Sequence, residues 1–170
     1  MLKLLTALML FLATGFGEVP IQKDACIVVT AKNRAVVKIR GLILSGGHDL
    51  ILRPEQCPEN RVILVYGDDP SLAEDKLKMK RNESFLRFEQ FLREQQPAKP
   101  NEYCQSCPKY QVTADFTGRL DITASAGLKR DPLTGKAIGI EGFGDPLPYS
   151  RFRLLVTEVS NVVAKEIGSP

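Results

Sequence analysis

The sequence predicts a mainly β fold, a five-stranded OB-like barrel with one helical insertion. Five segments have the composition or the alternation of β-strands, and a helical segment lies between the third and the fourth. Gly41 and Gly118 interrupt the first and fourth segments, where the strands of a small barrel must bend. This order of elements is typical of the OB fold, a partly open barrel of five strands. A different small β-sandwich or an α+β domain is the alternative.

Three strand segments precede the insertion. Residues 36–44 are rich in β-branched and other apolar side chains. A turn signal leads to the second segment, 48–52, which Pro54 ends. Residues 61–66 form a continuous apolar run, which predicts a strand that is buried on both faces.

The insertion, at about 70–100, is predicted to be helical over 72–95. Ser71 and Glu74 have the spacing of a capping box, and Asn82 and Ser84 are positions where the helix can divide in two. Apolar side chains recur on one face of the segment, at Leu77, Phe85, Phe88 and Leu92.

Two strand segments follow the insertion. Residues 112–123 alternate apolar and polar side chains, which predicts a long antiparallel strand with one face in water. Residues 125–149 are rich in glycine and proline and are expected to form a long loop or a loose hairpin. The final strand is expected over 151–159, and 165–170 as a frayed tail. A single domain over 26–165 results.

The N-terminal segment 1–17 predicts a cleaved secretory signal. Lys3 precedes an apolar run, and Gly15 and Gly17 occupy the positions of small residues before a cleavage site. The run is shorter than the roughly 20 residues that span a bilayer, so we expect no stable membrane anchor after cleavage. A buried N-terminal helix or an uncleaved anchor is the alternative. The mature chain would be periplasmic or extracellular.

Export makes disulfides the first interpretation of the four cysteines, which are Cys26, Cys57, Cys104 and Cys107. Four cysteines allow three connectivities, and the sequence does not choose among them. The favoured arrangement closes the C-x-x-C pair on itself and joins Cys26 to Cys57, which would stabilise the fold by roughly 3–4 kcal/mol.

Two other cysteine chemistries remain as alternatives. A thiol–disulfide redox site would use Cys104 and Cys107, but prolines surround this motif and no helix is expected to activate a thiol there. A structural four-cysteine zinc site usually has two C-x-x-C motifs, and this chain has one.

Charge and side-chain chemistry limit the functional classes. The chain has 23 basic and 20 acidic residues, a balance that does not indicate nucleic acid or an anionic membrane as the obvious partner. The densest basic run is interleaved with acids and is expected to be a solvated helix face; it comprises Lys76, Lys78, Lys80 and Arg81. His48 and Asp49 are adjacent on a strand, so they point to opposite faces and cannot orient one another. We predict no catalytic, cofactor-binding or metal-binding residues, and no cofactor.

Several segments together resemble a group of exported bacterial proteins of unknown function with an OB-like fold. The resemblance rests on the order of four pieces, which are Val37–Gly41, Leu52–Pro58, Phe116–Leu120 and Gly142–Gly144 before the final strand. It covers most of 26–160 outside the insertion. The insertion is long for this group, and Asp145 stands where a histidine is expected. The resemblance implies the fold, and it implies no activity or functional residue.

These observations favour an exported, disulfide-stabilised, non-catalytic OB-like domain that binds or scaffolds. The expected partner is a protein, peptide or glycan of the cell envelope or the medium, and no nucleic acid is expected. The redox protein and the zinc domain are the alternatives.

Overall fold

A computed structural model describes residues 26–46, 49–94, 110–146 and 148–167. The predicted signal 1–17, His48, Cys104 and Cys107 lie outside these residues, so the predictions about them stay predictions. The described chain is mainly β. Its strands are β1 (Ala35–Gly46), β2 (Asp49–Pro54), β3 (Val62–Tyr66), β4 (Tyr110–Ile122), β5 (Gly127–Arg130), β6 (Ala137–Glu141) and β7 (Phe152–Glu166). Its helices are α1 (Ile27–Thr30), a 3-10 helix (Pro70–Asp75) and α2 (Glu83–Glu94).

Five strands form one mixed sheet, and each of them has a neighbour on both sides. β1 pairs antiparallel with β2 and β4, β2 pairs antiparallel with β3, and β4 pairs antiparallel with β7. The remaining pair, β3 and β7, is parallel. With this pair, the order of neighbouring strands is β1, β2, β3, β7, β4 and again β1. The five predicted strand segments are thus confirmed. β5 and β6 form a separate two-stranded hairpin inside the predicted 125–149 loop.

Two glycines let neighbouring strands approach closely. A Cβ on Gly118 would lie 2.2 Å from the carbonyl oxygen of Leu155, and the pairing of β4 with β7 shifts register at this point. A Cβ on Gly41 would lie 2.3 Å from the carbonyl oxygen of Arg53. Both positions therefore exclude a side chain, and Gly118 confirms the predicted irregularity in the fourth strand of the sheet.

α2 covers the interior of the sheet with its apolar face. Phe85 and Phe88 are buried, and the Phe88 ring packs edge-to-face on Phe116 of β4 with centroids 5.3 Å apart. Phe85 makes the same type of contact with Tyr66 at the end of β3, at 5.5 Å. Phe116 is therefore a core residue, because the apolar sides of α2 and β4 meet there.

The predicted helix over 72–95 is divided, as Asn82 and Ser84 allowed, and the prediction is wrong over 76–82. Backbone N–H groups of the intervening chain donate to other segments, Leu77 to the carbonyl of Gly67 and Lys80 to that of Thr157. Bonding to β7 replaces helical bonding, so the chain is non-helical between the 3-10 helix and α2. The cap also differs, because Asp69 and not Ser71 accepts a backbone hydrogen bond, from Ser71 N at 2.8 Å.

The true start of α2 coincides with the predicted division at Asn82. The Asn82 side-chain oxygen accepts a hydrogen bond from Phe85 N at 2.9 Å and so caps the helix. The basic run that precedes it is therefore not a helix face. Two of its members have acidic partners instead, with Lys80 2.8 Å from Glu158 and Arg81 2.9 Å from Asp68.

The predicted water-exposed face of the fourth strand is largely buried. Asp115, Arg119 and Asp121 point outward from β4, yet each is at most 9% exposed. Charges from elsewhere in the chain compensate them: Asp121 accepts from Arg119 at 2.9 Å and from Arg153 of β7 at 2.8 Å. Alternation correctly located the strand but did not reveal these distant partners.

β7 is longer than predicted and contains a bulge. It continues to Glu166, where a frayed tail from 165 was expected. Its register with β4 shifts between Thr113 and Asp115, and Asn161 at this shift has a positive φ of 50°. An asparagine tolerates this conformation better than most residues, so the strand bends there and pairing resumes beyond it.

Candidate functional site

A groove of about 320 Å³ lies on the outer face of β1, β2 and β4. Strand register creates it, because Leu42 of β1 is paired with Arg53 of β2 on one side and with Thr113 of β4 on the other. The groove is lined by Leu42, Arg53, Pro54, Glu55, Pro58, Gln111 and Thr113.

One wall of the groove is the turn that follows β2. Pro54 ends that strand, and the next residue bonds back to β1 through Glu55 N and the Arg40 carbonyl oxygen, at 3.0 Å. Cys57 is buried in this turn and forms a disulfide with Cys26, which confirms the favoured pairing. The disulfide therefore anchors the groove wall to the segment that precedes β1.

The central charged group of the wall is Arg53. Its side chain is exposed, and its Nε donates to the Pro58 carbonyl oxygen at 3.2 Å. Among the described residues no carboxylate forms an ion pair with Arg53, so its terminal N–H groups are open to a ligand. Guanidinium groups in this state bind carboxylates through two parallel hydrogen bonds.

A second set of charges, which we name the Asp115 cluster, borders the groove. It consists of Lys38, Arg40, Glu55, Asp115 and Asn161. Asp115 lies 2.9 Å from an Arg40 nitrogen and 3.1 Å from the Lys38 ammonium, and it accepts from the Asn161 amide at 2.7 Å. Arg40 also pairs with Glu55 at 3.2 Å. The bulge in β7 thus places the Asn161 amide on the Asp115 carboxylate.

Opposing effects set the protonation of Asp115. Burial acts to raise the pKa of its carboxyl group, while hydrogen bonds from Arg40, Asn161 and Lys38 lower it further than burial raises it. The same contact with Asp115 raises the pKa of Arg40. Asp115 and Arg40 are therefore both charged near neutral pH.

Replacing Asp115 with asparagine is expected to lower the free energy of unfolding by about 1–3 kcal/mol at neutral pH. The lowered pKa means that the folded protein binds fewer protons than the unfolded chain, whose carboxyl titrates near about 3.9. The contribution of Asp115 is thus present above that pH and is lost as pH falls through the lower, folded-state pKa. Urea unfolding of wild type and Asp115→Asn across acidic pH measures the difference.

Glu74→Gln is the matched control, because Glu74 is an exposed carboxylate without an ion pair among the described residues. It is expected to change stability by less than about 0.5 kcal/mol at every pH. A gap between wild type and Asp115→Asn that stays constant down to strongly acidic pH would contradict the electrostatic explanation.

The lining of the groove suits binding. Leu42, Pro54 and Pro58 offer apolar surface, Gln111 and Thr113 offer hydrogen-bond donors and acceptors, and Arg53 offers a positive charge. The arrangement can hold and orient a polar chain.

The structure bears on one of the two alternative cysteine chemistries, the zinc site, and not on the redox site. A four-thiolate zinc site requires Cys26 and Cys57 as free thiolates, and the structure joins them to one another. That pairing leaves Cys104 and Cys107 to each other, which the favoured connectivity expected, but both lie outside the described residues. The redox alternative stays a prediction.

Asp49, which follows His48 in the sequence, has a structural role. Its carboxylate accepts from the Tyr149 hydroxyl at 2.9 Å and from Asp145 N at 2.8 Å, and so joins the start of β2 to the loop before β7. Burial and the Asp49 contact raise the pKa of Tyr149 to about 12, so its hydroxyl stays protonated and donates. His48 lies outside the described residues.

Sequence reasoning missed the groove and the Asp115 cluster. Arg53, Glu55 and Pro58 were considered only as part of the segment that resembles the exported group, and Pro54 was otherwise considered only as the end of the second strand. One pattern in the sequence could have indicated these sites. Lys38, Arg40 and Leu42 alternate with core residues in the first strand, so their side chains lie on its outer face. The residues that lie beside them on neighbouring strands are determined by the strand register, which could not be read from the sequence.

No helix within the described ranges has both the length and the apolar character needed to cross a membrane. Groups of side chains suitable for holding a metal ion are likewise absent from that part of the chain. Comparison with known protein families, with curated proteins and with solved structures finds no significant match.

Proposed function

We propose that this chain is an exported, disulfide-stabilised, non-catalytic OB-like domain that belongs to the group its sequence resembles. Supporting the fold assignment, the order of strand pairing is β1, β2, β3, β7, β4 and back to β1, with the main helix between β3 and β4. Supporting export, the N-terminal residues have the pattern of a secretory signal, and a disulfide is present.

The groove is the proposed binding surface, and the observation that carries this is the open guanidinium of Arg53. The nearby Glu55 does not neutralise it, because Glu55 is paired with Arg40. Asp115 is also compensated, by Arg40 and Lys38. The groove therefore presents one uncompensated positive charge over an apolar floor.

The proposed ligand is a peptide or glycan segment that carries a carboxylate. The carboxylate would bind Arg53, and polar groups of the chain would bind Gln111 and Thr113. Leu42 and the two prolines would contact the apolar side of the peptide or the sugar ring.

Arrays of acidic peptides and acidic glycans, probed with the mature protein, test this proposal. The tightest-binding probe is then titrated by fluorescence anisotropy against wild type, Arg53→Gln and Arg87→Gln. Loss of a charge-assisted bidentate contact is expected to weaken binding about tenfold or more in Arg53→Gln. Arg87 is an exposed arginine on α2, outside the groove, so its variant is expected to bind as wild type does.

Two results would overturn the proposal. One is the absence of binding to every acidic peptide and glycan on the arrays, which would remove the ligand class. The other is equal affinity of wild type and Arg53→Gln for the selected probe, which would remove the groove as its site. Turnover of the bound probe would show that the domain is catalytic.

A further inference from the structure

The hairpin of β5 and β6 projects from the sheet. Its two strands pair only with one another in the described chain, and nearly every residue from Leu128 to Ile140 is exposed. Asp131 closes its turn by accepting from Leu133 N at 2.7 Å and Thr134 N at 2.9 Å. The hairpin is therefore an ordered extension that the core of the domain does not require.

Large apolar side chains are exposed on this hairpin. Leu128 lies opposite Ile140 in the register, so the two share a face. Ile138 is the unpaired residue where the register shifts between Lys129 and Arg130. Leu133 stands in the turn at the tip and is 94% exposed. Leu128, Ile138 and Ile140 are each more than half exposed. Such a concentration of exposed apolar surface usually marks an interaction site.

Cations surround the apolar side chains, and the acids of the hairpin are turned to the protein itself. Lys129 and Lys136 form no ion pair within the described residues, and Arg130 donates only to the Gly135 carbonyl oxygen, at 2.9 Å. Asp131 faces its own turn, and Glu141 accepts from the Ser125 hydroxyl at 2.6 Å. These hydrogen bonds hold both acids in the charged form, and Glu141 also attracts Lys129. The three cations therefore leave the hairpin with a net charge of +1, which is three minus two.

We propose that the β5–β6 hairpin docks the protein reversibly on a membrane surface that contains anionic phospholipid. Leu133 and the apolar face would enter the boundary between headgroups and acyl chains, and Lys129, Arg130 and Lys136 would remain beside the phosphates. Lysine and arginine can do this because their apolar stems extend the charge toward water. The whole chain has nearly equal numbers of basic and acidic residues, so its net charge does not reveal the excess of cations on the hairpin.

The geometry favours a lipid surface over a protein partner. The tip and both faces of the hairpin are open, and Leu133, the most exposed of its large apolar side chains, is at the end of a narrow ribbon. A ribbon with an apolar tip and flanking cations can enter a fluid surface that adapts to it, whereas a protein partner would have to enclose it with a fitted cleft. The docking proposal does not depend on the groove, which lies on β1, β2 and β4.

Co-sedimentation of the mature protein with phospholipid vesicles tests the proposal. We expect binding to vesicles of phosphatidylglycerol mixed with phosphatidylcholine, little binding to phosphatidylcholine alone, and weaker binding at high salt. Leu133→Asp is expected to reduce partitioning about tenfold or more, because it loses the burial of a leucine and adds repulsion from the phosphates. Lys129→Glu with Lys136→Glu is expected to reduce it by a similar factor.

Matched substitutions outside the hairpin serve as controls. Leu86→Asp replaces an exposed leucine of α2, Lys78→Glu replaces an exposed lysine before it, and Arg53→Gln removes the groove guanidinium. All three are expected to sediment as wild type does. The proposal is overturned if wild type fails to bind anionic vesicles, which would leave a protein as the partner of the hairpin. It is equally overturned if Leu133→Asp binds as wild type does, or if neutral and anionic vesicles bind alike.

Discussion

Replacing Phe88 with alanine is expected to lower the free energy of unfolding by about 3–5 kcal/mol. Phe88 is fully buried, and its ring packs edge-to-face on Phe116, so it connects α2 to the interior of the sheet. The substitution would remove this aromatic contact and leave a cavity between the helix and β4. Urea unfolding followed by far-ultraviolet circular dichroism measures the loss.

Leu86→Ala is the matched control on the same helix. Leu86 is 58% exposed, so its truncation is expected to change stability by less than about 0.5 kcal/mol. Equal losses in the two variants would show that α2 does not pack its Phe88 face on the sheet, and the described core would then be wrong.

Removing the Cys26–Cys57 disulfide, by Cys26→Ser together with Cys57→Ser, is expected to cost roughly 3–4 kcal/mol. The two cysteines are 31 residues apart in sequence, and closing a loop of this length restricts the unfolded chain considerably. The loss also releases the turn that forms one wall of the groove, so ligand binding should weaken together with stability.

Cys104→Ser with Cys107→Ser is the comparison for the disulfide variant. A bridge within C-x-x-C closes a far shorter loop, so its removal is expected to cost less. A non-reducing peptide map of the protein checks the connectivity and also reports whether the N-terminal segment is cleaved. A bond from Cys26 to either cysteine of the C-x-x-C motif, or equal losses in the two double variants, would contradict this description.

The strands could be predicted because their signals are local. The alternation over 112–123 and the apolar run at 61–66 can be recognised from neighbouring residues alone. The irregularity in the fourth strand is likewise marked by a residue of that strand, Gly118. The 76–82 part of the predicted helix failed for the opposite reason. Its backbone bonds to β7, through Lys80 N and the Thr157 carbonyl, join segments far apart in sequence.

The candidate site was not predictable because its members meet only through register. Arg53 faces Leu42, and Leu42 faces Thr113, although Thr113 lies some distance along the chain from both. The burial of Asp115 likewise depends on Asn161, which reaches it through a bulge that composition does not reveal. Periodicity indicates which side of a strand a residue occupies, and not what lies beside it.

If the groove on β1, β2 and β4 binds an acidic peptide or glycan, as we propose, the bound probe must change the environment of the groove amides. Amide chemical-shift mapping of the protein, titrated with the tightest-binding probe from the arrays, measures this change residue by residue. We expect the largest shifts at Leu42, Arg53, Glu55, Gln111 and Thr113, and their loss in Arg53→Gln. Shifts confined to α2 or to the β5–β6 hairpin, with the groove amides unmoved, would contradict the claim.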